Sequence, residues 1–207
     1  MNAPERNLHL KAPASGELAR IVRVNEEIKA IVSTAFRINL MALNAIFLAK
    51  RAGNAALGFG VLSNELRRFA QELTRHMATL RDMTSGSVGS VTGVVQHQRT
   101  SAILAEAIRL SGDGVPGVRE ARRRGAARLT DQQARLRSLD LRLRSAVEET
   151  QQLVELGGVL ARSAKIEAAY GGSFSPALMQ VSTDFAEVIA QIKRSLEILG
   201  KERLVKD

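Results

Sequence analysis

The chain has no cysteine, no tryptophan, one tyrosine and four prolines among 207 residues. Without cysteine there are no disulfides, thiolate metal sites or thiol nucleophiles, which is ordinary for a reducing compartment. Aromatic residues make up only 3%, so a core must be assembled from Ala, Leu, Ile, Val and Met, which suits helix packing better than sheet packing. Sixteen glycines and four prolines are few for a turn-rich β protein. No continuous apolar run of the roughly 18 residues needed to span a bilayer is visible. The opening residues MNAPERNLHLKAPASGEL read as a polar tail over 1–16 and not as a signal peptide, so the expected location is cytoplasmic. His9, His76 and His97 lie far apart without metal-ligand spacing. No phosphate loop, catalytic carboxylate pair or nucleophile motif appears. The expectation is a non-enzymatic protein with no cofactor.

What is present is helical periodicity. Leu18, Ile21, Ile28, Ile31, Ala35, Ile38, Ala42, Ala45 and Ala49 alternate steps of three and four with one omission at Val24 or Asn25, the pattern of a coiled-coil seam. The stretch closes at Ala52-Gly53-Asn54, where glycine can end a helix. A second seam runs through Phe59, Leu62, Leu66, Phe69, Leu73, Met77, Leu80 and Met83, then meets Gly86, Gly89 and Gly93, where the helix either bends or breaks. A loop is predicted at 112–117. The third seam takes Leu129, Leu136, Leu139, Leu143, Ala146, Leu153, Leu160 and Ala164, ending at Gly171-Gly172. The fourth, after Ser175-Pro176, takes Leu178, Val181, Phe185, Val188, Ile192, Leu196 and Leu199. Helices are therefore predicted over 17–52, 58–111, 118–170 and 176–204, as two hairpins, 17–111 and 118–207.

Laying Asn44 over Ser163 aligns the two hairpins without a gap. Ala45 meets Ala164, Ala49 meets Ala168, Gly53 meets Gly172 and Ser63 meets Ser182. The stretch AFRINLMALNAIFLAKRAGNAALGFGVLSNELRRFA, residues 35–70, resembles the signalling hairpin of bacterial chemoreceptors, the methyl-accepting chemotaxis proteins. Asn39, Leu40, Ala42, Leu43, Asn44, Ala45, Ala49, Arg51, Ala52, Gly53, Gly58, Phe59, Val61, Glu65, Arg67 and Ala70 carry that resemblance. The second half is similar more faintly, through Ile166-Glu167-Ala168-Ala169.

The resemblance implies an all-α fold in which two tandem hairpins of one chain form an antiparallel four-helix coiled-coil bundle, and the extra length of the two middle predicted helices adds a two-helix stalk, unless the glycines at 86–93 fold it back. It also implies signal transduction by protein–protein contact, with chemoreceptors, a chemotaxis histidine kinase or its adaptor as partners, or self-association. The implied partner-binding residues are Phe36, Asn39, Leu40, Asn44, Leu48, Arg51, Phe59 and Val61, with Glu167 and Tyr170 from the second copy. Four positions depart from the family: Arg37-Ile38 replaces its Gln-Thr, Leu48 its tip Glu, and Leu57 the Arg of its GRGF. These changes put kinase coupling in question.

Net charge is +9, and from Val118 to Arg144 nine arginines oppose three acids. Arg119, Arg122, Arg123, Arg124 and Arg128 therefore define an alternative reading, a basic helical protein that binds nucleic acid or an anionic membrane surface. Helical spacing spreads these arginines over several faces, and no aromatic residue interleaves with them for base stacking.

Overall fold

A computed structural model describes residues 14–111 and 116–202. The chain is all-α, with no strand among the described residues. Helix α1 is Ala14–Ala52, α2 Leu57–Ser111, α3 Pro116–Ala169 and α4 Ser175–Lys201. Short 3-10 turns, Gly53–Ala56 and Gly172–Phe174, join α1 to α2 and α3 to α4. Pro116 and Gly117, expected in a loop, begin α3 instead. A proline fits there because the first helical N–H has no partner to lose. Residues 112–115, most of the expected tail and the end of the fourth predicted helix lie outside the described residues.

Helix α1 packs along α2, α2 along α3, α3 along α4, and α4 back along α1. The α2–α3 register stays constant over most of their length. A Cβ on Gly157 would meet the Phe69 ring at 2.7 Å, His76 Nδ1 lies 3.2 Å from Thr150 Oγ1, a Cβ on Gly93 would meet Gln132 Nε2 at 2.7 Å, and Gly125 faces Ser101. At the far end of α1 and α4, Arg23 Nε donates to Glu202 Oε1 at 2.8 Å.

Every helix contributes one buried seam. On α1 it is Ile21, Val24, Ile28, Ile31, Ala35, Ile38, Ala42, Ala45 and Ala49, with Val24 filling the gap in the sequence pattern. On α2 it is Phe59, Ser63, Leu66, Ala70, Leu73, Met77, Leu80, Thr84, Ser87, Val91 and Val94. On α3 the buried seam keeps the predicted Leu136, Leu143 and Ala164 but elsewhere sits one place along: Asp140, Val147, Val154 and Ala161 are buried, with Thr150 and Ala168, while the predicted Leu139, Ala146, Leu153 and Leu160 are half-buried. The buried polar members satisfy themselves inside their own helix. Ser63, Thr84, Thr150 and Ser182 each donate to the carbonyl four residues back, and Asp140 accepts from Arg144 at 2.7 Å.

Helix α2 is unbroken through Gly86–Gly93. Gly86 and Gly89 face open space, while Ser87 and Val91 keep the seam on its three–four rhythm. Packing against α3 thus outweighs the local glycine penalty of about 1 kcal/mol each. Helices α2 and α3, of 55 and 54 residues, outrun α1 and α4, of 39 and 27. The excess forms a stalk of α2 and α3, and at 1.5 Å per residue α2 alone is about 83 Å long.

An 18-residue window within 19–103 reaches mean hydropathy 1.6 with at most two charged residues, long and apolar enough by composition to cross a membrane, and 33% of it is buried. Helix α1 raises this average because it carries a second, exposed apolar row beside its buried seam. Arg37, Asn39 and Asn44 keep this stretch of sequence from being a continuous apolar run.

Candidate protein-contact site at the hairpin tips

Both hairpins turn on a glycine with left-handed backbone. Gly53 has φ 65 and Gly172 φ 58, and no other described residue has positive φ. Any side chain there would be strained. A Cβ on Gly172 would lie 4.0 Å from Ala55 Cβ, so the two turns sit together at one end of the molecule. Just behind them the helices approach closely over small residues. Gly60 faces Ala49, and the Glu167 carboxylate lies across the backbone of Gly58, where a Cβ would collide with it.

The expected partner residues divide into two groups. Phe36, Leu40, Asn44, Arg51 and Val61 are exposed, and so is Tyr170 from the second tip. Phe59 is wholly buried, so its place in the expected contact surface is corrected: it is a core residue at the turn. Leu48 is half-buried against the core, so it adds less outward apolar surface than the loss of the family's glutamate suggests. Asn39 and Glu167 are half-buried, and the buried Oδ1 of Asn39 has no hydrogen-bond partner.

Leu57, where the family has an arginine, is 65% exposed and adds apolar surface to the first tip as expected from that departure, while Phe47, 63% exposed, lies outside the expected set. The missed signal was a second periodicity: Phe36, Leu40, Leu43 and Phe47 are spaced four, three and four, which keeps them on one side of α1 beside the buried seam. With Leu57 and Val61 from the start of α2, they give the first tip an apolar outer face. On the second tip Val159 and Ile166 on α3 and Tyr170 just past its end are exposed, at the positions that lie under Leu40, Phe47 and Arg51 when Asn44 is laid over Ser163. This second face has one aromatic ring and lacks the arginine.

Arg122, Arg123, Arg124 and Arg128 lie on the stalk half of α3, exposed and remote from both turns, and the Arg119 side chain is outside the described residues. His76 bridges the α2–α3 seam beside Thr150, with Glu72 3.9 Å from its Nε2. His9 lies outside the described residues. Among the described residues no group of three or more His, Asp or Glu is arranged to hold a metal.

No family model matches the chain. Parts of it are similar to curated proteins. Against the methyl-accepting chemotaxis protein McpN of Pseudomonas aeruginosa it is 32% identical over 90 residues, 40% of this chain and 17% of the relative. Against the biofilm dispersion protein BdlA of the same species it is 30% identical over 115 residues, 52% of this chain and 28% of the relative. Against chemoreceptor McpA of Caulobacter vibrioides it is 45% identical over 58 residues, 28% of this chain and 8% of the relative. The chain thus contains a chemoreceptor-like helical region, and its matched part spans less than a third of the length of each of these relatives.

Proposed function

We propose that this is a cytoplasmic, non-enzymatic, chemoreceptor-like signalling or scaffolding protein, in which one chain supplies the four-helix coiled-coil bundle that receptors of that kind build from two. The support for two degenerate tandem hairpins is positional. Shifting Asn44 onto Ser163 carries buried Ala42, Ala45, Ala49, Phe59, Ser63 and Leu66 onto buried Ala161, Ala164, Ala168, Leu178, Ser182 and Phe185. It also carries one left-handed glycine onto the other.

The observation that carries the function is the outer face of the first tip, where Phe36, Leu40, Phe47, Leu57 and Val61 are all exposed inside the segment that resembles the receptor hairpin. Apolar side chains grouped on one surface favour a dry contact with another helix over solvent. The partners that fit are chemotaxis proteins: receptor tips, the histidine kinase or its adaptor. Pull-down from native cell extract with receptor tip, kinase and adaptor probed individually tests this. Phe47→Asp and Arg51→Glu are expected to reduce capture at least tenfold while leaving helicity unchanged. Capture at wild-type level by both variants would discard the tip as the contact surface.

A further inference from the structure

The tips leave the largest charge asymmetry of the molecule unused. The arginines between Val118 and Arg144 lie along the stalk half of α3. Several scatter around the helix, but Arg124, Arg128, Arg135 and Arg142 recur at steps of four, seven and seven. At about 100° and 1.5 Å per residue this places them in a strip about 40° wide and about 27 Å long. All four are exposed. Arg124 and Arg135 meet only acids on their own helix, Glu120 at 3.5 Å and Asp131 at 3.0 Å, in solvent-exposed pairs that do little to hold them. Arg128 and Arg142 make no ion pair among the described residues.

We propose that this arginine strip docks the stalk side-on against the anionic surface of a phospholipid bilayer. A guanidinium fork matches the oxygens of a phosphate, and the strip holds four on a straight rod. A rod meets a plane along its whole length, and lipid headgroups diffuse sideways to each arginine whatever its spacing. A nucleic-acid duplex winds away from a straight strip and returns only once per turn. Single strands are disfavoured too, because no aromatic side chain lies between Val118 and Arg144 for base stacking. The strip is independent of the tip surface, so the two can operate together or fail separately.

Sedimentation of the full chain with vesicles tests the proposal. Phosphatidylcholine vesicles containing about one-third phosphatidylserine should carry the protein down at low salt, and pure phosphatidylcholine vesicles should not. Binding should fall steeply as salt is raised, because screening weakens each contact. Replacing Arg124, Arg128, Arg135 and Arg142 with Gln should weaken partitioning by roughly fivefold per arginine. A control with Arg68, Arg75, Lys193 and Arg194 replaced by Gln, which removes as many exposed cations elsewhere, should retain it. If the quadruple strip variant loses helical ellipticity, Arg128→Gln and Arg142→Gln as single variants replace it, each expected to lose roughly fivefold. Failure to sediment at low salt overturns the proposal, as does equal loss in strip and control variants. Displacement from the vesicles by duplex DNA at matched phosphate concentration also overturns it and assigns the strip to nucleic acid.

Discussion

Phe47 and Phe59 flank the same turn, and their environments give the same side chain opposite roles. Phe59 has no solvent exposure, whereas Phe47 is 63% exposed. Truncating the first opens a cavity among close-packed neighbours, so Phe59→Ala should cost about 3–5 kcal/mol in chemical denaturation. Phe47→Ser gives up surface already in water and should change stability by less than about 0.5 kcal/mol. Comparable losses for both would mean that Phe47 is covered in solution. The chemistry of Phe59 alone does not separate these roles. The resemblance placed it among contact residues because it lies within the matched segment, and only its three–four spacing to Ser63 and Leu66 puts it in the seam.

The four helices differed in how readily sequence revealed them. The seams of α1 and α4 are legible because Ile, Leu, Val, Phe or Ala fills nearly every three–four step. On α3, Asp140, Thr150 and Gly157 occupy seam positions, so an apolar count slides one place to Leu139, Leu153 and Leu160. These polar and small residues are tolerated because Thr150 bonds its own helix, Asp140 holds Arg144, and Gly157 makes room for Phe69. Glycines need the same positional reading. A methyl added at Gly157 would strike the Phe69 ring, whereas one at Gly86 would meet nothing within 4 Å. Gly157→Ala should destabilise by about 1–3 kcal/mol, and Gly86→Ala should stabilise α2 by about 0.5–1 kcal/mol through helix propensity. Thermal unfolding followed by circular dichroism reads both, and a Gly86→Ala protein that melts earlier than wild type would point to a bend in α2 at that glycine.

As a whole, the molecule has paired turns at one end and a two-helix stalk at the other. Length differences among the helices made that shape legible, but the choice between a straight and a folded-back stalk was not, because glycine propensity and seam continuity pull opposite ways between Gly86 and Gly93. The seam prevails through Ser87, Val91 and Val94. Small-angle scattering should therefore give a maximum dimension above about 80 Å, set by α2 at 1.5 Å per residue. A value well below about 70 Å would require α2 to fold back on itself.

The constant pairing of α2 with α3 also limits how the length of this rod can change. Each residue on one arm has its counterpart on the other, from Phe69 beside Gly157 to Ser101 beside Gly125. Losing residues from one arm alone would shift every pair beyond the cut, exposing Leu80 or Leu136 and burying charge. Removing seven from each arm at the same level restores the match and shortens the rod by about 10 Å. Length in such a chain should therefore change only in paired heptads, so that a shorter or longer relative shows matched gaps on both sides of the hairpin.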